Sequence, residues 1–352
     1  MLIVRTPLRI SFFGGGTDHP LWFRQHGGAV LSTTINKYIY LNMRRLPSIF
    51  DFNYRIVWRI IEEVKEVGEI KHPVVREVMR NYFANIPKRF EISYNADLPS
   101  QSGLASSSAF TVALLQGLCA DAGKLISNNE LAREAINVEQ NLLKETVGCQ
   151  DQIATAYGGL NHIRFTKDGE FHVSPVPVSM ERRSELEQHL MLFFTKFQRS
   201  ANEIEIAKLK NYDSKQASLH RMAGMADEGQ GLILSNREPM DRFGALLDEA
   251  WQLKRDLSTS VSSSDIDGAY KAAMEAGASG GKLLGAGGGG FLLFIVKPAW
   301  RKKVRQALSS LVEVPVKLES RGSHLALYDP TLDNFDNGLP VHEAAKSRVG
   351  VA

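Results

Sequence analysis

Cysteine is scarce in this chain of 352 residues. Only Cys119 and Cys149 occur, and they have neither zinc-site spacing nor a disulfide framework, so we expect both to be reduced and buried. No apolar run reaches the roughly 18 residues that a membrane-spanning helix needs. The first residues favour a strand over a signal peptide, because no small-residue cleavage site follows a charged head. We therefore expect a cytoplasmic protein without a membrane partner.

A strong excess of one charge sign is also lacking. The chain has 42 Lys and Arg against 39 Asp and Glu, which gives a formal net charge of +3 at pH 7. This mildly basic balance suits a small anionic substrate, but it gives no basis for a nucleic-acid partner. The hydrophobic fraction of 43% is that of an ordinary globular protein. The length predicts two domains, at about 150 residues each.

Glycine is plentiful, and its 29 residues cluster in 14–16, 158–159 and 277–290. The irregular alternation of strand and helix patterns favours an α+β fold over a doubly wound sheet. A turn and a proline-containing strand near residues 166–188 predict a domain boundary. We therefore predict an N-terminal domain at 1–185, a C-terminal domain at 186–330 and a polar tail at 331–352.

Hydrophobic periodicity gives a coarse map of the elements. We predict strands at 3–13, 29–44, 90–95, 189–195, 289–296, 314–318 and 323–328. We predict helices at 54–84, 107–122, 128–144 (with an Asn cap), 147–157, 262–275 and 300–311. Long helical patterns between the strand at 189–195 and residue 254 predict further helices.

The segment from Asp97 to Leu115 crowds small hydroxyl side chains at the start of a helix, with the sequence DLPSQSGLASSSAFTVALL. A helix cap needs one such side chain. An anion site is the alternative, because the N–H groups of a first helical turn attract negative charge. The segment lacks the lysine of a Walker A motif. The residues alone leave the capped helix and the phosphate site open.

Two more glycine-rich motifs and two acidic residues stand out. PLRISFFGGGTD at 7–18 is either a tight turn or a ligand loop, and GGKLLGAGGGGF at 280–291 is either a hinge or a close approach to a ligand. Glu139 lies in a helical pattern, where a lone glutamate is usually solvated. Asp151 has small and apolar neighbours, so partial burial is expected and a buried carboxylate needs a partner or a task.

Taken in order, these motifs resemble those of the GHMP kinase family over residues 1 to about 328. The segment PSQSGLASSSA at 99–109 is similar to the family's phosphate loop. The resemblance implies a two-domain α+β fold, with an N-terminal domain like ribosomal protein S5 domain 2 and a ferredoxin-like C-terminal domain. It also implies an ATP-dependent kinase that uses Mg²⁺.

Within the family the motifs resemble those of sugar-1-kinases, and in particular the D-glycero-D-manno-heptose 7-phosphate kinases. Gly15 and Gly16 replace the Glu-His of galactokinases, which argues against galactose. The resemblance implies phosphorylation of the anomeric hydroxyl to give the 1,7-bisphosphate, on the route to nucleotide-activated heptose. An L-fucokinase-like or other sugar-1-kinase remains an alternative, and a non-catalytic sugar sensor is a further one.

The resemblance also implies a set of site residues. Asp151 and Arg9 would be catalytic, with Asp151 as general base or as the group that orients the nucleophile. Ser107 and Glu139 would hold Mg²⁺. The ATP phosphates would lie against Pro99, Ser102, Gly103, Leu104, Ala105, Ser106, Ser107 and Ser108. The sugar would contact Gly15, Gly16, Thr17, Asp18, Gly159, Arg199, Gly287 and Gly288.

A 7-phosphate on the substrate would need a cationic pocket. The candidates are Lys37, Lys196, Arg199 and Lys282, and Arg199 is the first choice because it follows an apolar strand. The expected partners are a small sugar or sugar phosphate, and a homodimer is compatible with the resemblance.

Overall fold

The computed structural model describes residues 1–83, 89–100, 102–196 and 201–333. The first part contains the strands β1 (Leu2–Phe13), β2 (Gly28–Arg45), β3 (Tyr54–Val57), β4 (Ile61–Val64), β5 (Phe90–Ala96), β6 (Leu160–Phe165) and β7 (Phe171–Pro175). Its helices are α1 (Pro20–His26), α2 (Pro73–Tyr82), α3 (Ser106–Asp121), α4 (Asn128–Ile136) and α5 (Gln150–Tyr157).

The second part begins with α6 (Met180–His189) and β8 (Leu190–Phe194). It continues with α7 (Ala201–Leu209), α8 (Gln216–Leu234), α9 (Met240–Asp256), α10 (Ser264–Glu275), β9 (Ala278–Leu283), β10 (Phe291–Val296), α11 (Arg301–Ala307), β11 (Val312–Glu313), β12 (Leu318–Glu319) and β13 (His324–Tyr328). Within the described ranges we find no helix with the length and hydropathy to cross a bilayer.

The long strand β2 organises the first sheet. It pairs antiparallel with β1 along most of its length, with β6 through residues 28–33 and with β5 through residues 39–45. Helices α3 and α5 pack on β1 and β2. Helix α3 is buried nearly all round, which its apolar sequence explains. This packing brings the start of α3, the start of α5 and the end of β1 together.

The second sheet is antiparallel in the order β11-β8-β10-β9, and α9 packs against β9. All six residues of β10 are buried, which explains its uninterrupted apolar sequence. Together the two sheets and their helices confirm the α+β fold class. Of the two cysteines, Cys149 is buried and Cys119 is half-buried, and neither forms a disulfide.

The end of the chain returns to the first sheet, although the predicted second domain runs to residue 330. Strand β13 pairs with β1, and β12 pairs with β2, so both strands belong to the first sheet. The second sheet ends at Glu313. An exposed strand edge has unpaired N–H and C=O groups, and the returning chain supplies partners for them along β1. Sequence order alone could not reveal this pairing.

Two predicted elements also differ. The sequence predicts a helix over residues 54–84, but residues 54–82 contain the hairpin β3–β4 followed by α2. The β-branched residues of YRIVWRIIEEV favour strands, and this preference outweighs the helical spacing of its charges. The segment predicted as one helix at 128–144 begins as α4. It continues as a wider π-helical turn at Asn137–Leu142. Its cap is Ser127, which forms a capping box with Glu130.

Candidate active site

The glycine turn after β1 directs Asp18 back toward the sheet. A Cβ on Gly14 would lie 1.8 Å from the carbonyl oxygen of Ala29, so only glycine fits there. The Asp18 carboxylate accepts hydrogen bonds from the backbone N–H of Gly16 at 2.8 Å and of Gln150 at 3.2 Å. Burial raises the pKa of Asp18 to about 6, and the charge of Asp151 adds to the effect. Asp18 is therefore a fixed, buried acceptor.

The start of α3 has no side-chain cap among the described residues. Its N-cap residue, Ala105, has a left-handed φ of +66°, and the buried hydroxyls of Ser102 and Ser106 have no hydrogen-bond partner within the described ranges. The N–H groups of the first turn are therefore free for a ligand. This geometry favours the anion site over the capped helix, since helix N-termini bind phosphate groups well.

Arg9 and Asp151 form a two-pronged ion pair beside this helix start. Arg9 donates from Nε to Oδ1 and from Nη2 to Oδ2 of Asp151, both at 2.8 Å. Its Nη1 donates to the carbonyl oxygen of Gly103 at 2.6 Å. The Arg9 side chain is 3% exposed, whereas that of Asp151 is 27% exposed. The pair therefore holds the Asp151 carboxylate at a set orientation beside the phosphate loop, while leaving it accessible.

Glu139 is 1% exposed and lies opposite α3. Its Oε2 accepts hydrogen bonds from the Ser108 hydroxyl at 3.0 Å and from Nε2 of Gln152 at 2.5 Å, whereas Oε1 has no partner within the described residues. Burial, with a contribution from Glu145, raises the pKa of Glu139 to about 8. A buried carboxylate with an unsatisfied oxygen has the chemistry of a Mg²⁺ ligand. The donor set therefore fits this metal.

These groups face one cavity of about 590 Å³, a volume typical of small-molecule sites. Both domains contribute to its wall. Four aromatic lining residues contact one another and are called the aromatic end here: Trp58, His72, Tyr94 and Phe110. A polar group of lining residues is called the polar end: Asp18, Glu205, Lys208, Tyr212, Lys254 and Lys282.

Most of the predicted site residues line this cavity. They are Arg9, Gly15, Gly16, Asp18, Ser102, Gly103, Ala105, Ser106, Ser107, Ser108, Glu139 and Asp151. Ser107 is exposed, and it shares the cavity wall with Glu139. Arg199 lies outside the described residues, so its role stays a prediction.

Three predicted site residues of the first domain are not among the residues that line the cavity. Pro99 is exposed next to the cavity-lining Ser100, whereas Leu104 is buried in the core and its carbonyl oxygen accepts from the N–H of Arg9. Thr17 uses its hydroxyl to donate to the carbonyl oxygens of Gly14 and Ala29, so it stabilises the turn. A ligand contact at these three positions therefore stays a prediction that the cavity lining does not support.

Three predicted substrate glycines also lie outside the cavity lining and make contacts within the fold. Gly159 exchanges hydrogen bonds with Thr34 in the first sheet. A Cβ on Gly287 would lie 2.9 Å from Val261, and the N–H of Gly288 donates to the carbonyl oxygen of Val261. The C-terminal glycine motif instead lines the cavity through Gly285 and Ala286.

Among the cations considered for a substrate phosphate, Lys282 lines the cavity, whereas Lys37 and Lys196 do not. Lys196 is exposed and donates to the carbonyl oxygen of Ser310. Sequence reasoning missed Lys254, Lys208 and the aromatic end altogether. The strand propensity of residues 54–64 was a usable signal for the hairpin that carries Trp58, whereas the lysines lie in helices without a motif of their own.

Residues 64–159 match the family described as GHMP kinases N terminal domain, and residues 233–313 match GHMP kinases C terminal. The chain is 30% identical over 317 residues to a D-glycero-alpha-D-manno-heptose 7-phosphate kinase of Campylobacter jejuni, covering 86% of this chain and 92% of that protein. It is 28% identical to a bifunctional fucokinase/GDP-fucose pyrophosphorylase of Arabidopsis thaliana, covering 90% of this chain and 32% of that protein.

A solved structure described as a D-glycero-D-manno-heptose 1-phosphate kinase from Bacteroides thetaiotaomicron has the same fold, with a TM-score of 0.77 at 24% identity. The superposition covers 94% of this chain and 100% of that one. The two family models that match this chain, together with its sequence relatives, identify it as a member of the GHMP kinase family and as an ATP-dependent sugar kinase.

Proposed function

We propose that this kinase transfers the γ-phosphoryl group of ATP to the anomeric hydroxyl of D-glycero-D-manno-heptose 7-phosphate. The observation that carries the proposal is the Arg9–Asp151 pair, which lies between the uncapped start of α3 and the buried Asp18 carboxylate. The relative from Campylobacter jejuni, whose description names a heptose 7-phosphate kinase, supports the choice of sugar.

The nucleotide phosphates lie against the start of α3 in this proposal. The N–H groups of the first turn and the hydroxyls of Ser102 and Ser106 donate to phosphate oxygens. Ser107 and Glu139 would hold Mg²⁺, which would supply charge neutralisation at the nucleotide phosphates. No three His, Cys, Asp or Glu side chains converge as a metal site in the described part of the chain. In this proposal phosphate oxygens and water would complete the coordination.

Asp151 acts on the acceptor hydroxyl. It accepts the proton as the bond from the anomeric oxygen to the γ-phosphorus forms and the bond from that phosphorus to the β,γ-bridging oxygen breaks. The proton then passes to solvent. The Arg9 guanidinium keeps both Asp151 oxygens in place and stabilises negative charge on the transferring group. The alternative is that Asp151 only orients the hydroxyl and does not accept its proton.

Asp18 binds the hydroxyl groups of the sugar. Its backbone hydrogen bonds fix the carboxylate, whose remaining lone pairs accept from ring hydroxyls. Gly15 and Gly16 leave space beside it, and the predicted role of Arg199 at the 7-phosphate is part of the same proposal.

The experiment is ADP release with a panel of heptose 7-phosphate, heptose, fucose, galactose, mannose and mevalonate. We expect heptose 7-phosphate to give the highest kcat/KM and a product whose new phosphorus couples to H1 in NMR. A higher kcat/KM with fucose would replace this assignment by the fucokinase alternative. A new phosphate on any other oxygen would contradict the anomeric assignment.

A further inference from the structure

Two lysines at the polar end of the cavity lack a carboxylate partner among the described residues. Lys254 on α9 is 6% exposed and Lys282 on β9 is 5% exposed. Lys254 donates to the carbonyl oxygens of Leu283 at 2.9 Å and of Gly285 at 2.5 Å. Lys282 donates to the carbonyl oxygen of Phe12 at 2.8 Å. An ammonium has three donors, so at least one N–H on each lysine has no acceptor in the part of the chain that the structure describes.

Among the described residues, Glu205 is the carboxylate whose charge acts on Lys254, and it is already paired with Lys208. Lys208 pairs with Glu205 at 2.6 Å, and Arg9 is occupied by Asp151. Asp18 accepts its hydrogen bonds from backbone groups.

The electrostatic environment of the two lysines is therefore unfavourable without a ligand. Burial and the positive charges of Arg9 and Lys208 lower the pKa of Lys282 to about 7, and burial lowers that of Lys254 well below its ordinary value. A buried cation without a counter-ion is costly, and a bound anion removes the cost.

The position of Lys282 favours the acceptor over the nucleotide, and Lys254 lies between Leu283, next to Lys282, and Gly285, next to the phosphate loop. The phosphate loop and Arg9 come from the first domain and already supply donors for the ATP phosphates. Lys282 and Lys208 lie on the side of Asp18, since Lys282 bonds to the end of β1 just before the glycine turn. Tyr212 closes the same side by donating to the carbonyl oxygen of Gly16 at 3.0 Å.

We propose that Lys254 and Lys282 bind the phosphate group that the acceptor sugar already carries, so that the site selects sugar phosphates over free sugars. This inference rests on the proposed function and assigns its substrate phosphate to two residues. Lys208 adds positive charge beside them, while its own ammonium group is paired with Glu205 on the same helix. Each charge-assisted hydrogen bond to the phosphate strengthens binding of the phosphorylated sugar alone.

The test uses Lys254→Met and Lys282→Met, which keep an apolar stem. The control is Lys271→Met, at an exposed lysine of α10 that does not line the cavity. Binding of inorganic phosphate is measured by calorimetry with the nucleotide site saturated by the ATP analogue AMP-PNP. We expect the parent and the control to bind phosphate equally and each cavity variant to bind it about tenfold more weakly or worse. The KM for heptose 7-phosphate rises by the same factor, and the KM for ATP stays within about twofold of the parent value.

Results that contradict this inference differ from results that contradict the proposed function. Unchanged phosphate affinity in both variants overturns the inference, and so does a rise in the KM for ATP alone, which would place the lysines at the nucleotide. If the parent does not use heptose 7-phosphate but binds phosphate through both lysines, the proposed function is wrong and the anion site stands. If heptose 7-phosphate is used and both variants keep the parent's preference over free heptose, the function stands and the anion site is wrong.

Discussion

Gly285 and Gly103 pack backbone against backbone: a Cβ on Gly285 would lie 2.3 Å from the Cα of Gly103. Gly285 follows β9 in the second domain, and Gly103 precedes α3 in the first. Both have left-handed φ angles, +72° and +80°. The contact between the two glycine motifs therefore depends on two missing side chains, and it fixes the phosphate loop against the second domain.

Gly285→Ala should displace the phosphate loop and raise the KM for ATP. The matched control is Gly123→Ala, because Gly123 has a similar φ of +69° but a Cβ there would meet no described atom within 4 Å. Both variants carry left-handed strain of about 1 kcal/mol, whereas only Gly285→Ala adds the steric clash. Steady-state kinetics and urea unfolding measure the two effects, and equal behaviour of the variants would contradict the packing argument.

Asp151→Ala should lower kcat by about 100-fold or more, because the proton acceptor is lost. ATP binding should survive. The variant leaves the buried Arg9 without its partner, so Asp151→Asn, which keeps the shape of the side chain, is measured in parallel. Asp227→Ala, an exposed position outside the cavity, is the control. A folded Asp151 variant with the parent's kcat would remove this residue from the mechanism.

Ser107→Ala and Glu139→Gln should raise the Mg²⁺ concentration needed for half-maximal activity. Each removes or neutralises an oxygen ligand, and Mg²⁺ tolerates incomplete octahedral coordination poorly. Glu134→Gln is the control on the neighbouring helix, where the carboxylate accepts from the Tyr82 hydroxyl and does not line the cavity. Mg²⁺ titrations that superimpose for all variants would leave Glu139 as a core residue only.

Asp18 should make the free energy of unfolding depend on pH. Burial, then the charges of Asp151 and Glu205, raise its pKa from 3.8 to about 6, so the folded state binds this proton more tightly than the unfolded state. The stability from this proton is present below pH 3.8 and is lost as the pH rises through 6. The loss is about 3 kcal/mol for a shift of about two units.

Asp18→Asn removes this titration. Its unfolding free energy relative to the parent should therefore rise by about 3 kcal/mol between about pH 4 and about pH 8. Any hydrogen bond that Asn fails to make adds an offset that does not vary with pH. Urea unfolding without ligand, with the exposed Asp265→Asn on α10 as control, measures the difference. A difference that stays constant over this range would show that Asp18 titrates normally.

Local sequence signals predicted the parts of the site that one segment builds. The small residues before α3, the strand before the glycine turn and the helix of Glu139 follow from short-range propensities. The pairing of Arg9 with Asp151, 142 residues apart, came from the family resemblance and not from any spacing. The hairpin carrying Trp58 was misassigned because its charges recur at helical spacing while its backbone pairs as strands.

The sequence by itself determined the order of the three glycine motifs, the crowding of small residues before α3 and the two carboxylates, because each depends on neighbouring residues in the chain. Only the tertiary structure decided that β12 and β13 return to the first sheet and that Lys282 meets Phe12 across 270 residues. Such contacts depend on which buried edges and carbonyl groups remain to be satisfied once the two domains pack. No local pattern records that requirement, so Lys254 and Lys282 could be placed in one cavity only by the fold.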